Sequence, residues 1–222
     1  MTLTYLDLYN DITSQAWSMF DSEVEDKEEF EASVTTSIQK ALADLWNTFD
    51  FPFKQRNYLI KTKANKINYT LPEGSITKKV VSGVEKYNVK YGSVFLDYIT
   101  SADDLEEKQG EPENFYIENN EFCLYPTPDN VYSIKIGYST IFAACDKDDT
   151  EQATLKEDDD YVNIPEMYEE LFRCALLPLA MMYLIASETD ENYSAYKWQY
   201  ERALKTLIKQ VQGMKKDRIK GW

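Results

Sequence analysis

The chain has 222 residues, 43% hydrophobic and 14% aromatic, which is enough to bury a core of its own. It contains no histidine, and that excludes Ser-His-Asp and Cys-His catalysis, imidazole metal ligands and the usual proton shuttle near neutral pH. The net charge is −15 but uneven: residues 197–222 carry eight Lys and Arg against two acidic residues, a net +6, which leaves −21 on the other 196 and argues against tight duplex binding.

In chain order, Leu3, Leu6, Ile12, Ala16, Met19 and Phe20 approximate a helical stripe over Leu3 to Phe20, followed by an acidic break at Asp21 to Glu29. Phe30, Val34, Ile38, Ala41, Leu42, Leu45, Trp46 and Phe49 recur at three- and four-residue intervals, which predicts an amphipathic helix ending before Pro52. From Asn57 to Phe142 the period changes to alternation. Strands are predicted at Tyr58 to Thr62, Lys66 to Leu71, Lys79 to Val84, Tyr87 to Tyr91 and Val94 to Tyr98, with a turn at Leu71 to Gly74. Thr100 to Lys108 reads as a short helix capped by Ser101.

Gly110 to Tyr138 then reads as three strands and two turns. Asn119-Asn120 tolerates the left-handed backbone of a tight hairpin, and Pro126-Thr-Pro-Asp-Asn130 is a stiffer turn. Tyr132, Ile134, Ile136 and Tyr138 alternate with polar or small residues, the period of a strand with one buried face. Ala143 to Tyr161 is a polar, acidic loop whose Asp158-Asp159-Asp160 run lacks calcium-loop spacing and reads as solvated. Pro165 suits the first turn of a helix faced by Tyr168, Leu171, Phe172, Ala175, Leu179, Met182, Tyr183 and Ala186, with a kink expected at Pro178. After a connection at Ser187 to Asn192, a last helix from about Tyr193 to Gln212 presents Tyr193, Tyr196, Tyr200, Leu204, Leu207 and Val211, and Gly213 to Trp222 reads as a detachable tail.

Cys123, Cys145 and Cys174 are odd in number and lack Cys-x-x-Cys spacing, so buried inert thiols are expected, with no disulfide framework and no thiolate metal site. No run reaches the roughly 18 apolar residues of a membrane span, and the start of the chain has no secretory signal, so a soluble protein made in the cytoplasm is expected. Carboxylates such as Glu166, Glu169 and Glu170, or Asp103, Asp104, Glu106 and Glu107, could be paired as a glycosidase-like acid and base, but 39 acidic residues make such proximity ordinary. No catalytic residue, metal or cofactor is assigned. Of the 17 tyrosines, Tyr132, Tyr138, Tyr168 and Tyr183 are expected to pack on element faces.

The Gly-x-Pro-x-x-Phe-Tyr entry at Gly110 to Tyr116, the Leu124-Tyr-Pro-Thr-Pro-Asp129 turn, the Tyr-rich strand ending at Tyr138, Ile164-Pro-Glu-Met-Tyr168 and the last helix together carry a likeness over roughly the last half of the chain. They resemble the head-to-tail adaptor (connector) proteins of tailed bacteriophages, particularly the ring-forming adaptors of short-tailed phages. The fold expected on both grounds is α+β. A helical bundle of N- and C-terminal helices (1–56 and 146–214, the latter with the acidic loop) brackets an inserted small antiparallel β domain (57–145), and an extended basic tail follows (215–222).

The resemblance implies a non-enzymatic virion protein at the head-tail junction. It implies a ring of twelve copies under the portal protein, bound to downstream tail or ring proteins, through which DNA passes without specific binding and with no membrane involved. In such proteins the C-terminal segment docks on the portal, so Lys215, Lys216, Arg218, Ile219, Lys220 and Trp222 are candidate portal contacts. Asp146, Asp148, Asp149, Glu151, Glu157, Asp158, Asp159 and Asp160 are candidates to line the channel, where like charge would repel phosphate. The alternatives are a more distal tail ring or stopper protein, a carboxylate-dependent cell-wall hydrolase, and a carbohydrate-binding module.

Overall fold

The computed structural model describes residues 2–20, 27–74, 84–88, 92–101, 106–119, 121–185 and 189–219; for Phe20, residues 85–88, Gly92 and residues 214–219 it describes the backbone alone. The chain divides into two compact units, Met1–Phe53 with Phe142–Trp222, and Lys54–Ile141. Fold class is α+β, with helices at both ends of the sequence and a β-rich insertion between them.

The first unit begins with α1 (Tyr5–Phe20), opened by a reciprocal cap. Thr4 Oγ1 donates to Asp7 Oδ2 at 2.7 Å and accepts from Asp7 N at 3.2 Å, which satisfies helix-start groups that have no partner of their own. Leu8, Ile12 and Ala16, four residues apart, are fully buried. In α2 (Lys27–Thr48) the predicted stripe is the core face: Val34, Ile38, Ala41 and Leu45 have no exposed surface. Each buried Val, Ile or Leu side chain contributes about 1.5–3 kcal/mol, and each Ala methyl less.

The chain leaves α2 through a 3-10 turn, Pro52–Lys54, where aromatic rings interlock. Phe51 and Phe53 stack at 4.9 Å, Phe53 meets Tyr168 at 5.6 Å, and Phe51 meets Phe172 edge-on at 6.3 Å.

A second 3-10 turn, Glu166–Tyr168, leads into α3 (Glu169–Leu184), and α4 spans Glu191–Ile219. α3 packs on α1, α2 and α4. It continues through the buried Pro178 without being divided there. Arg173 of α3 ties to Asp11 of α1, its Nε donating to Oδ2 at 2.8 Å and its Nη2 donating to the same oxygen. Leu207 and Val211 bury the distal part of α4, while Tyr196, Tyr200 and Leu204 lie half-buried against the same core.

The last helix does not stop at Gln212. Its backbone stays helical through Gly213 to Ile219, so the expected detachable tail is helix as far as Ile219. A Cβ at Gly213 would meet nothing within 4 Å, so glycine there serves no close approach. It acts as a weak helix former that the flanking Lys, Gln and Met residues override.

The second unit contains β1 (Gln55–Lys61), β2 (Asn68–Thr70), β3 (Val84–Asn88), β4 (Gly92–Phe95), β5 (Asp97–Tyr98), β6 (Gln109–Gly110), β7 (Asn114–Glu118), β8 (Glu121–Tyr125), β9 (Thr127–Pro128) and β10 (Ser133–Ser139). One sheet has the order β1-β10-β3-β4 and another β2-β8-β7-β5, with β6 and β9 as a separate pair. Ile60, Val84, Ile134 and Ile136 of the first sheet share a buried cluster with Tyr69, Phe115, Phe122 and Leu124 of the second. Tyr132 and Tyr138 pack against it, and Tyr132 Oη donates to Asp129 Oδ1 at 2.6 Å.

Asn119 supplies the left-handed residue (φ 49°) of the β7–β8 hairpin, whose register Glu118↔Glu121 leaves a two-residue loop. Its neighbour Asn120 lies outside the described residues. Of the helix expected at Thr100 to Lys108, residues 102–105 also lie outside them. Glu106 to Lys108 are not helical and run into β6, because Tyr125 Oη takes up the Glu106 carbonyl at 3.0 Å and Thr127 N that of Lys108 at 2.9 Å. The predicted strand residues 79–83 and 89–91 lie outside the described set. Among the described residues no helix is long and apolar enough to cross a membrane.

Candidate functional site

The acidic segment after Phe142 belongs to the helical unit and is more ordered than its composition suggests. Three two-residue strands, β11 (Ala144–Cys145), β12 (Glu151–Gln152) and β13 (Tyr161–Val162), form a small sheet in the order β12-β11-β13. Ala144, Leu155, Val162 and Ile164 turn apolar side chains into the helical core, so the polar residues between them form a rim anchored from beneath.

The rim is built by carboxylates that accept backbone bonds. Asp146 Oδ1 accepts from Asp148 N and Thr150 N, both at 2.9 Å, closing a turn in which Asp149 has φ 63°. Tyr161 donates its hydroxyl to Asp149, and that bond, with burial, pushes the phenol above its usual range. Glu151 accepts from Asn163 Nδ2 at 3.0 Å.

Asp160 is only 2% exposed, and its Oδ2 accepts from Gln152 Nε2 (2.6 Å), Lys156 N (2.6 Å) and Glu157 N (3.0 Å). Burial alone would raise its pKa, but the bonds from the Lys156 and Glu157 amides and from Gln152 outweigh it and hold the carboxyl below its ordinary value. The first amides of α1 close the arrangement, Tyr5 N donating to Asp160 O at 2.7 Å and Leu6 N to Asp158 O at 3.2 Å.

The eight candidate channel residues therefore separate by geometry. Asp148, Asp149, Glu157, Asp158 and Asp159 are exposed; Asp146 and Glu151 are half-buried and engaged within the loop. Asp160 is corrected from a solvated carboxylate to an interior one, because three donors converge on it. A hollow of about 390 Å³ opens on this rim, where Lys147 and Lys156 stand among Asp146, Asp148, Glu157 and Asp159. Among the described residues no three carboxylates or thiols converge as a metal site would need.

The candidate portal residues sit at the other end of the unit's sequence. Lys215, Lys216, Arg218 and Ile219 fall on the helical backbone of α4, and their side chains lie outside the described residues, as do Lys220 and Trp222 altogether. About five turns earlier, α4 exposes Trp198 (61%), whose ring carries Arg202 at 5.4 Å. That pair was not singled out in the sequence, although its i, i+4 spacing on the polar face could have shown it.

Of the carboxylates considered for acid-base chemistry, Asp103 and Asp104 lie outside the described residues. Glu166, in the 3-10 turn before α3, and Glu170, in the first turn of α3, are exposed, and burial raises the pKa of half-buried Glu169. Cys123 and Cys145 are buried, as expected, but Cys174 is exposed, because it falls on the outward side of α3 beside Glu170. Tyr168 is buried, whereas Tyr183 is exposed and reaches across to donate its hydroxyl to Asp44 of α2.

A family model described as SU10 adaptor protein matches residues 3–218, nearly the whole chain. No curated protein matches it.

Proposed function

The chain belongs to the SU10 adaptor protein family, and from that membership we propose a head-to-tail adaptor of a short-tailed phage: a ring of twelve copies docked under the portal, extending the DNA channel and offering the platform for later tail components. The family makes it a phage structural adaptor and a virion component, and implies a non-enzymatic role with portal, tail and self-association as its contacts. The observation that carries the reading is the match over 3–218, which includes both units and the basic end of α4.

Two surfaces divide the work in this reading. The end of α4, with Lys215, Lys216, Arg218, Ile219, Lys220 and Trp222, attaches to the portal, Arg and Trp being favoured anchors of interfaces. The exposed acids of the rim, Asp148, Asp149, Glu157, Asp158 and Asp159, face the lumen, with Asp146 and Glu151 behind them holding the turns. A ring of like charge then lets DNA pass without adhering.

Deleting residues 214–222 tests the attachment. The shortened chain should keep its fold and lose portal binding in co-sedimentation; unchanged binding contradicts the assignment.

A further inference from the structure

The four-stranded sheet β1-β10-β3-β4 ends in two strands that, among the described residues, each have one partner: β1 pairs with β10 and β4 with β3. Antiparallel strands alternate between residues that bond across the pair and residues that turn their N–H and C=O away. Thr62 N donates to Tyr132 O and Thr140 N to Lys54 O, both at 2.9 Å, so the even-numbered residues of β1 bond inward. Asn57, Leu59 and Lys61 turn theirs to the outer edge. Leu96 N donates to Val84 O at 2.8 Å, which places Ser93 and Phe95 outward on β4 in the same way.

Side chains repeat this arrangement. The register Leu59↔Lys135, Lys135↔Glu85 and Glu85↔Phe95 puts Leu59 and Phe95 at opposite ends of one cross-strand row, on the face away from Ile134 and Ile136. Both are large, apolar and open to solvent, Leu59 at 59% and Phe95 at 65%. Exposed apolar edge strands are templates for further pairing unless something blunts them.

The two edges also differ in charge. β1 carries Arg56 and Lys61 and no acid, whereas β4 carries no charged residue and is followed two positions on by Asp97. Two β1 edges would set like charges against each other, whereas β4 beside β1 does not, which favours a second copy joined head to tail.

We propose that β4 of one copy pairs antiparallel with β1 of the next, so that the sheet continues from subunit to subunit. All neighbours in this sheet are antiparallel and the strands number four, so strand direction still alternates across the junction. Extending the row by one step sets Phe95 against Leu59 and Ser93 against Lys61, two pairs whose backbone groups both point into the junction. Such a contact joins two different edges, the heterologous kind that closes rings. It rests on the adaptor reading only in taking another copy as the occupant.

The test is a cysteine pair in the full-length chain. Leu59→Cys and Phe95→Cys are combined in a Cys174→Ser background, with the buried Cys123 and Cys145 left in place, and oxidised both alone at high concentration and with the portal ring. The double variant is expected to give a covalent ladder beyond the dimer. A mixture of the two single variants should give heterodimers without homodimers. Adding Lys61→Pro, which removes an outward N–H with no partner among the described residues, should abolish the ladder while the circular-dichroism melt is kept. No ladder in either condition, or homodimers from a single variant, overturns the proposal. A ladder without portal binding would keep this interface and remove the portal role; portal binding without a ladder would do the reverse.

Discussion

The side-chain amide of Gln39, on α2, occupies both backbone groups of Leu155: its Nε2 donates to Leu155 O at 2.5 Å, and Leu155 N donates to its Oε1 at 3.3 Å. A helix side chain thus stands in for a neighbouring strand, and it holds the acidic segment where Leu155 is buried at 3% exposure. Replacing Gln39 by Ala leaves a buried donor and acceptor unmatched. The expected loss is about 1–3 kcal/mol, read by urea denaturation. Gln39→Glu should cost a comparable amount, since a carboxylate cannot donate to the Leu155 carbonyl.

Asp160 gives stability a defined acid limb. Its folded-state pKa lies below the ordinary 3.8, so its contribution is present above that value and is lost as pH falls through the lower folded one. Asp160→Asn should destabilise the protein at neutral pH by about 1–3 kcal/mol and flatten the decline in stability below pH ~4. Thermal melts of both proteins across this range would show whether the two curves converge in acid, as expected.

Tyr183 provides the opposite sign. Its hydrogen bond to Asp44, followed by burial, pushes its phenol up to about 12. The neutral ring's contribution is therefore complete below 10 and lost as pH rises through about 12. In alkaline titration at 295 nm, Tyr183→Phe should remove one late-ionising phenol, and Asp44→Asn should move that phenol toward 10. An unchanged late phase in both variants would show that the bond does not set this ionisation.

Much of the fold was legible because periodicity is a local property. Val34, Ile38, Ala41 and Leu45 recur at helical spacing and are the residues with no exposed surface, and Ile134 and Ile136 alternate into the β core as expected. Asn119 marked its hairpin through its own backbone preference. The candidate site was less legible because its bonds obey no period. Asp160 sits in a run of three aspartates that reads as solvated, and only the folded loop brings the Lys156 and Glu157 amides to it. Gln39 lies beside the core stripe of α2 and gains its role from a segment 116 residues away. Gly213 read as a helix stop, yet α4 passes through it, since one poor helix former costs only about 1 kcal/mol.

The exposed acids of the rim should matter to DNA passage rather than to folding. Neutralising Asp148, Glu157, Asp158 and Asp159 together by amide substitution is expected to leave the melt nearly unchanged, because surface substitutions act within about ±0.5 kcal/mol each. It should slow DNA ejection from assembled particles or leave DNA retained. Ejection kinetics identical to those of the unmodified phage would remove these residues from the channel.

The central claim is attachment to the portal as a ring, and native mass spectrometry of the full-length chain, alone and mixed with the portal ring of the same phage, tests it most directly. The account predicts a monomer that becomes a portal-bound ring of twelve copies. A chain that leaves the portal mass unchanged would contradict it and point to a position further down the tail.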